Sequence, residues 1–429
     1  MNAVGLFGSF ISALVLKIPI SISIMFSSVL LCLTNDIIDM NFFVSGLLHA
    51  SDSFPLLAIP FFMLAGNIMC VGGIADRLVR FSEALVGHFT GGAGLITIVA
   101  CMFFASVAGS AVATVAAIGA LMIPVMIDRG YHRDYSCTVA ACASTMGPII
   151  PPSVLFIPYG VMAGVSVSTL FIAGFIPGIL MGVFMATVNY LMSKKLGYKG
   201  LSEKPSLKKI LNAASGAKLA LLLPVIILGG IYGGFATPTE IAAVAVVYSF
   251  IVSVYVYKEL TLKEMLPVLL TSVKGAASTM IIVAPAIIFG RILALLQIPQ
   301  TLTNLMQSTI SSPVVFLLMF NVLLLIVGMF METTSSIMIL TPLFVPLAAS
   351  YGVHPLHLGM IMIVNLTVGL CTPPVGLCAT IAAGIGNTTF QNLFKYLIPY
   401  LIALIALIML ITYVPQITFF LPDLLGAKY

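Results

Sequence analysis

Three observations predict an all-α polytopic membrane protein with an inverted repeat, two re-entrant helical hairpins and two discontinuous helices. Hydrophobic residues occupy 61% of the 429 positions and charged residues only 7%. Glycine and proline interrupt two apolar stretches at corresponding positions in the two halves of the chain. Each of these stretches follows another apolar stretch, which small and polar residues divide near its centre.

The membrane-spanning elements are predicted to be helices. Apolar segments recur along the whole chain, so one removable signal peptide does not explain them. The bilayer interior offers no partners to backbone N–H and C=O groups, which leaves only helices or a closed barrel as spanning structures. The apolar runs lack the alternation of barrel strands, so helices are expected.

An internal repeat relates the two halves. Shifting the sequence by 222 residues aligns residues 124–177 with a second stretch without a gap. The shift places Pro124 on Pro346, Thr145 on Thr367, Gly147 on Gly369, Pro151 on Pro373 and Pro152 on Pro374. Because most helix-breaking residues recur, a common structural template is predicted.

The repeated breakers predict discontinuous helices at 136–163, around "GPIIPPS", and at 356–385, around "GLCTPPVG". The preceding stretches predict re-entrant hairpins at 92–127 and 312–349. Paired interrupted helices point to a transporter binding site near the bilayer midplane. The alternative for each break is a proline kink filled by neighbouring helices or a short loop between two spans.

The charge distribution predicts the domain organisation and orientation. Residues 1–193 form a first repeat, 194–217 a basic cytoplasmic linker and 218–429 a second repeat. The loop 35–54 contains three aspartates and no Lys or Arg, so it falls outside under the positive-inside rule. Counting the membrane spans outward from the cytoplasmic linker predicts that the first hairpin opens to the cytoplasm and the second to the outside. The net charge of +5 comes largely from the linker and reflects orientation, so no nucleic-acid partner is expected.

Several motifs resemble the large membrane subunit (M subunit, DctM-like) of a tripartite ATP-independent periplasmic (TRAP) transporter. They are "DSFPLLAIPFFMLAGNIM" (52–69), "GHFTGGAG" (87–94), "SVAGSAVATVAAIG" (106–119), "IIPPS" (149–153) and "VGMFMETTS" (327–335). The resemblance implies a scaffold and an elevator-type transport domain, similar to the ion transporter superfamily. It also implies a bacterial inner-membrane protein, not an enzyme, with Na⁺ as the coupling ion and no other cofactor.

The resemblance further implies two protein partners and a class of substrate. The partners are a small four-helix membrane subunit (Q-type) and a periplasmic substrate-binding protein (P-type). The substrate is a small organic acid, such as sialic acid, a C4-dicarboxylate, a keto acid or a sugar acid.

Two Na⁺ sites are expected, one at each hairpin tip beside the adjacent broken helix. The candidate ligands of the first are Ser106, Gly109, Ser110, Thr114, Thr145, Gly147 and Pro148. The candidates for the second are Gly328, Glu332, Thr333, Thr334, Ser335, Asn365, Thr367, Gly369 and Thr372. The alternative for each hydroxyl is a hydrogen bond back to the preceding helical turn.

Ionisable residues in apolar spans are candidates for substrate contact because burying a charge is costly. These candidates are Arg291, Glu332 and Glu240. The helix N-termini that follow Pro151, Pro152, Pro373 and Pro374 are further candidates, because their positive potential attracts the same substrate carboxylate. Arg291 can bind a carboxylate, pair with Glu332 or reach lipid headgroups. Glu240 can instead be a favourable first-turn acid of a helix.

Three other functions compete with this prediction. A self-sufficient Na⁺/carboxylate carrier would share the architecture, and an ion channel would need a continuous polar lining. An intramembrane hydrolase would need a catalytic constellation within the membrane. His132, His354 and His357 are instead predicted to be solvent-exposed in the segments that follow the hairpins.

Overall fold

The computed structural model describes residues 3–34, 40–200 and 206–427, so parts of the acidic loop (35–39) and of the basic linker (201–205) lie outside the described residues. The helices of the first half are α1 (Ala3–Val15), α2 (Ile20–Thr34), α3 (Met40–Ser51), α4 (Ala58–Val71), α5 (Ile74–Val86), α6 (Gly92–Ala108), α7 (Ala111–Thr114), α8 (Ala120–Asp128), α9 (Arg133–Ser144), α10 (Phe156–Ala163) and α11 (Val167–Leu196). Those of the second half are α12 (Leu207–Tyr232), α13 (Pro238–Ile251), α14 (Leu262–Leu295), α15 (Ile298–Thr309), α16 (Pro313–Phe330), α17 (Thr333–Ser350), α18 (Pro355–Gly369), α19 (Leu377–Ile385), α20 (Phe390–Tyr413) and α21 (Gln416–Leu424). One π-helical turn, Val115–Gly119, joins α7 to α8, and another, Val252–Val256, follows α13. These ranges contain no β-strand, which confirms the all-α prediction.

Membrane-spanning helices dominate the described ranges. Nine helical stretches there are long and apolar enough to cross a bilayer. Many of their large apolar side chains are exposed, such as Val225 and Ile402. A helix surface of this kind is suited to lipid, so a multi-pass membrane protein is confirmed.

The helix bounds repeat with the offset seen in the sequence. A shift of 222 residues relates Ala111–Asp128, which comprises α7, the π turn and α8, to all of α17. The same shift brings α6, α9 and α10 within a few residues of α16, α18 and α19. Each half therefore contains one hairpin followed by one broken helix.

The second hairpin is inverted relative to the first. Between the two hairpins the chain runs through α9 with α10, then α11, α12, α13 and α14, which is an odd number of crossings. The two hairpins therefore start on opposite sides of the bilayer, which is the arrangement expected of an inverted repeat.

The helices divide into two packed groups. We call α1–α4 and α12–α14 the outer helices, in which α4 packs against α13 and α14, whereas α15 packs mainly against α17. We call α6–α11 and α16–α21 the core helices, in which α9 packs against α6, α19 and α20 and α16 packs against α18. The hairpins and broken helices all belong to the core helices.

The amphipathic helix α5 connects the two groups through ion pairs. At its start, Arg77 Nη1 lies 2.7 Å from Glu259 Oε1, and its guanidinium carbon lies 3.7 Å from the centre of the Tyr257 ring. At its end, Glu83 Oε1 lies 2.8 Å from Arg129 Nη2, just after the first hairpin. The helix therefore contacts the loop between α13 and α14 at one end and the base of the first hairpin at the other.

The predicted domain boundaries fall within helices. The boundary at 193 and 194 lies in the last turn of α11, and the boundary at 217 and 218 lies inside α12. The described part of the basic linker therefore continues the helices on both sides.

Candidate functional site

The two hairpin tips share a capping arrangement, although Gly109 of the first tip is left-handed and the corresponding Met331 of the second is extended. In the first tip, Gly109 adopts a left-handed conformation (φ +59°) and the side chain of Ser110 caps α7 by accepting from the N–H of Ala113 at 3.4 Å. In the second, the carboxylate of Glu332 caps α17 by accepting from the N–H of Ser335 at 3.0 Å. The offset of 222 residues relates both capping residues and both donors, so the sequence repeat extends into the tips.

The two broken helices differ in their exposure. Each break contains a cis peptide bond, Pro151–Pro152 in the first and Pro373–Pro374 in the second. The segment between α9 and α10 is entirely buried, whereas Pro374 in the segment between α18 and α19 is exposed. The first break is thus enclosed by the protein, and the second borders an open space.

Glycines bring each tip into backbone contact with its break. A methyl group on Gly147 would lie 2.6 Å from the carbonyl oxygen of Ser110 and 2.9 Å from Thr114 Oγ1. A methyl group on Gly109 would lie 2.9 Å from the carbonyl oxygen of Pro152. In the second half, a methyl group on Gly369 would lie 2.6 Å from backbone atoms of Gly328. Only glycine fits at these positions without a shift of the backbone.

A cavity of about 140 Å³ lies where the tips and breaks converge. From the core helices it is lined by Gly109, Ser110, Ala111, Val112, Pro148, Val154, Leu155, Glu332, Thr333, Thr334, Leu370 and Leu377. Met63 of α4 and Thr279 of α14 line it from the outer helices. The structure thus brings residues of both predicted Na⁺ sites to one space between the two groups of helices.

Four helix N-termini border this cavity, those of α7, α10, α17 and α19. Helix N-termini carry a partial positive charge and unpaired N–H groups that attract anions. Ser110 and Glu332 cap two of these starts, whereas α19 follows Gly376, which has no side chain to cap it. The cavity can therefore accept an anion at the start of α19.

The first set of predicted cation ligands lies in the first tip and break. Thr114 and Thr145 donate their hydroxyl hydrogens to the carbonyl oxygens of Ser110 and Cys142, at 2.8 and 2.6 Å, and Ser106 donates to Phe103 at 2.7 Å. A hydroxyl that donates still has lone pairs available for a cation. These hydroxyls therefore form the hydrogen bonds to the preceding helical turn that the alternative interpretation predicts. Their oxygens are still able to bind a cation.

The second set contains a buried oxygen without a partner. Asn365 is fully buried, and its Nδ2 donates to Asn321 Oδ1 and to the carbonyl oxygen of Ile361, both at 2.8 Å. Its Oδ1 accepts no hydrogen bond from any described residue, which is costly for a buried polar atom. Thr367 and Thr372 donate to carbonyl oxygens of the preceding turn. Asn365 Oδ1 is thus the oxygen of this set most in need of a cation or other partner.

Glu332 is bound by its own helix. Its Oε1 accepts from Thr334 Oγ1 at 2.9 Å, and its Oε2 accepts from the N–H and hydroxyl of Ser335. A carboxylate repels an anionic substrate, so direct binding of the acid by this group is unfavourable without a cation between them. The geometry suits a cap that adds negative charge beside a cation.

The other predicted substrate contacts lie elsewhere. Glu240 forms a capping box with Thr237 at the start of α13, with its Oε2 2.8 Å from the Thr237 backbone nitrogen. Pro151, Pro152, Pro373 and Pro374 are not among the residues that line the cavity. Arg291 lines a different space and does not pair with Glu332. The first-turn interpretation of Glu240 fits its position.

The sequence did not reveal three contributors to the site. Met63 and Thr279 have no local signature, because only the packing of α4 and α14 brings them to the cavity. Asn321 carried a signal, since it is the only amide in the apolar run "VVFLLMFNVLLLIVG" (314–328). Its Oδ1 accepts from Asn365, and its Nδ2 donates to Thr412 Oγ1 at 3.1 Å.

The prediction that His357 is solvent-exposed is wrong. Its side chain is only 3% exposed, with Nδ1 2.9 Å from Thr418 Oγ1 and Nε2 3.1 Å from the carbonyl oxygen of Thr412. It lies in the first turn of α18, where α21 covers it. Its proximity to a loop in the sequence therefore did not predict its burial. His132, by contrast, is exposed at the start of α9.

Two inverted hairpins and two broken helices around a small cavity, which apolar side chains line together with Ser110, Glu332, Thr333 and Thr334, define a membrane transporter of the inverted-repeat class. A model of the family described as "Tripartite ATP-independent periplasmic transporter, DctM component" matches residues 7–417. The chain belongs to this family. It is accordingly a transporter permease and not an enzyme.

Curated relatives cover nearly the whole chain. An isethionate TRAP transporter permease of Oleidesulfovibrio alaskensis is 40% identical over 97% of this chain, which spans 65% of that relative's length. The C4-dicarboxylate TRAP transporter large permease of Rhodobacter capsulatus is 38% identical over 99% of this chain and 100% of its own. The sialic acid TRAP transporter large permease of Vibrio cholerae is 36% identical over 95% of each chain.

The fold also resembles a solved structure. The Alcanivorax borkumensis YdaH transporter matches with a TM-score of 0.64 and 15% identity over 86% of each chain. At this identity the likeness concerns the fold alone, and it agrees with the all-helical repeat described above.

Proposed function

We propose that the chain is the large permease subunit of a Na⁺-coupled carrier that imports small organic anions delivered by a periplasmic binding protein. The observation that carries this proposal is the cavity at which both hairpin tips and both breaks meet. It combines helix N-termini, which suit an anion, with carbonyl and hydroxyl oxygens, which suit Na⁺. A bound cation would also offset the charge of Glu332 beside an acidic substrate.

Sodium fits the two sets of oxygens better than a transition metal does. The described residues contain no group of three or more His, Cys, Asp or Glu side chains that could hold such a metal. Carbonyl, hydroxyl and amide oxygens are instead ligands for hard cations. Gly147 and Gly369 support this proposal, because each allows the backbone of a break to approach that of a tip.

The size of the cavity favours a small substrate. About 140 Å³ is below the roughly 300–1,000 Å³ typical of pockets for larger organic ligands. Relatives are named for isethionate, C4-dicarboxylate and sialic acid transport. Of these, the two-carbon sulfonate and the four-carbon dicarboxylates fit the dimensions better than the nine-carbon sugar acid.

An elevator-type movement of the core helices against the outer helices would expose the cavity to each side in turn. Residues of both groups line the cavity, so a relative displacement would open it. Helix α5 binds both groups through Arg77 and Glu83 and would limit the displacement. The subunit would lie in the bacterial inner membrane with its basic linker in the cytoplasm, beside a small four-helix subunit.

The experiment is uptake into proteoliposomes that contain this chain, its small membrane subunit and its binding protein. Labelled succinate, isethionate and sialic acid are tested in turn with an inward Na⁺ gradient, with a proton gradient and with neither. We expect accumulation of one anion only with Na⁺ and all three proteins. Accumulation driven by protons alone would contradict the Na⁺ coupling.

Two controls separate the alternatives. Uptake that continues without the binding protein would identify a self-sufficient carrier. Flux that only equilibrates the anion, and does not concentrate it when Na⁺ is supplied, would identify a channel.

A further inference from the structure

Arg291 lies in a cleft of about 520 Å³ that is separate from the cavity at the tips. The cleft is formed by the end of α3, by α10, by α14 and by α17. Its polar lining includes His49, Ser53 and Thr341 in addition to Arg291. Arg291 is exposed and forms no hydrogen bond or ion pair within the described ranges, so its charge is available to a ligand.

The cleft and the tip cavity lie along the same three helices. On α17, Thr334 lines the cavity and Thr341 lines the cleft, seven residues later. Leu155, the residue before α10, lines the cavity, and Met162 of α10, also seven residues later, lines the cleft. Residues seven apart share one face of a helix about 10 Å apart. The third helix, α14, contributes Thr279 to the cavity and Gly290 to the cleft, three turns apart on the same face. One groove between α14 and the second hairpin therefore contains both spaces.

The cleft lies on the side of the cavity nearer the predicted outside. Arg291 lies four residues before the end of α14, and the basic start of that helix, with Lys263, is predicted to be cytoplasmic. The cleft also borders Ser53, which follows α3 within the stretch 35–54 that is predicted to be outside; most of this stretch is helical and not the expected loop. An acid released outside would therefore meet the cleft before it met the tip cavity.

The charges in the cleft favour an anion. No Asp or Glu is among the described residues that line the cleft. Asp52 directly precedes the lining residue Ser53 in the sequence but does not itself line the cleft. A guanidinium can bind a carboxylate or sulfonate through two parallel hydrogen bonds.

We infer that Arg291 forms an outer anion site that receives the acidic substrate from outside before it reaches the tip cavity. The inference rests on the proposed function and adds a second, earlier binding position to it. The ligand class is a small carboxylate or sulfonate. Arg291 then determines capture of the substrate, whereas the tips and breaks determine Na⁺ coupling.

A charge-sensitive labelling experiment tests the site without a known substrate. Ala294, which is exposed one turn after Arg291 and lines the cleft, is replaced by Cys. Right-side-out vesicles are treated with anionic sulfonatoethyl and cationic trimethylammonioethyl methanethiosulfonates, and the two labelling rates are compared. We expect Arg291→Gln to lower the ratio of anionic to cationic labelling by about tenfold, since one charge ~6 Å away in water changes each rate about threefold in opposite directions.

Controls define which results overturn the inference. Arg291→Lys should preserve the labelling ratio, and a Cys at Ser308, exposed on α15, should show a ratio that Arg291→Gln does not alter. The unsubstituted chain measures labelling of the native cysteines. A ratio at position 294 that is insensitive to Arg291→Gln would place the guanidinium at lipid headgroups and overturn the inference.

Transport kinetics distinguish failure of this site from failure of the proposed function. In Na⁺-driven uptake, we expect Arg291→Gln to raise the KM for substrate about tenfold while the half-saturating Na⁺ concentration stays unchanged. An unchanged KM with normal Na⁺-driven uptake would overturn the outer site alone. If uptake is not driven by Na⁺ but labelling still responds to Arg291→Gln, the anion site stands and the proposed coupling fails.

Discussion

Gly328 and Gly369 pack backbone against backbone, where the second hairpin meets the second broken helix. A methyl group on Gly328 would lie 3.0 Å from the carbonyl oxygen of Leu366, and one on Gly369 would lie 2.6 Å from Gly328. This contact brings carbonyl oxygens of two elements together in a region where helix continuity has been lost. The position of a cation there would depend on the absence of two side chains.

The first prediction concerns Gly369→Ala. We expect the added methyl group to separate the tip from the break and to lower Na⁺ affinity at least tenfold, because the backbone must shift. The measurement is the Na⁺ dependence of thermal unfolding in detergent, since a ligand that binds the folded state raises its stability. Gly384→Ala is the matched control, because in the described part of the chain no heavy atom beyond the adjacent backbone of α19 lies within 4 Å of the added methyl group. Equal Na⁺ responses of the two variants would contradict the role of this contact.

The second prediction concerns Glu332→Gln, which keeps the size and one acceptor oxygen of the cap but removes its charge. We expect the apparent Na⁺ affinity in uptake assays to fall by about tenfold, while stability without Na⁺ changes by less than about 1 kcal/mol, the usual scale of a helix cap. Glu264→Gln, at an exposed capping box on α14, is the control and should leave Na⁺ dependence unchanged. If Glu332→Gln lowers stability but not Na⁺ affinity, the residue is a cap only.

The fold could be predicted largely from residues that break helices. Matched prolines and glycines, such as Gly147 with Gly369, mark positions at which any membrane helix must be interrupted. Backbone groups freed by an interruption need partners, so the location of a polar site followed from local chemistry alone. The structure confirms both hairpins and both broken helices.

The details of the site depended on packing that no local pattern records. Thr279 reaches the cavity only because α14 packs against the hairpin, and Arg291 occupies a separate cleft because it lies three turns further along that helix. His357 is buried because α21, which is distant in sequence, covers it. Local sequence predicts where a helix ends, whereas tertiary contacts determine which side chains face one another.

The third prediction concerns Asn321→Leu in α16. The substitution removes the acceptor of one Asn365 Nδ2 hydrogen bond and the donor to Thr412, so we expect a loss of about 1–3 kcal/mol of stability from the buried amide left without its partner. Thermal unfolding measures the loss. Asn304→Leu, at an exposed position of α15, is the control and should change stability little. Equal effects of the two substitutions would show that the buried amides contribute nothing specific.

The fourth prediction concerns the ion pair between Glu83 of α5 and Arg129 at the base of the first hairpin. Both side chains are about one-third exposed (37% and 35%), so we expect a coupling of roughly 0.2–1 kcal/mol. Glu83→Arg and Arg129→Glu should each slow uptake, because like charges then face each other where α5 holds the core helices.

The double charge swap tests this contact directly. Combining Glu83→Arg with Arg129→Glu restores opposite charges at the same distance, so uptake should recover most of what either single change removes. The recovery should shrink at 1 M salt, where the Debye length is about 3 Å and exposed pairs are screened. Arg80 pairs with Asp76 within α5 itself, so the same swap there should leave the uptake rate unchanged. Additive losses in the Glu83 and Arg129 double variant would show that α5 does not act on the hairpin through this pair.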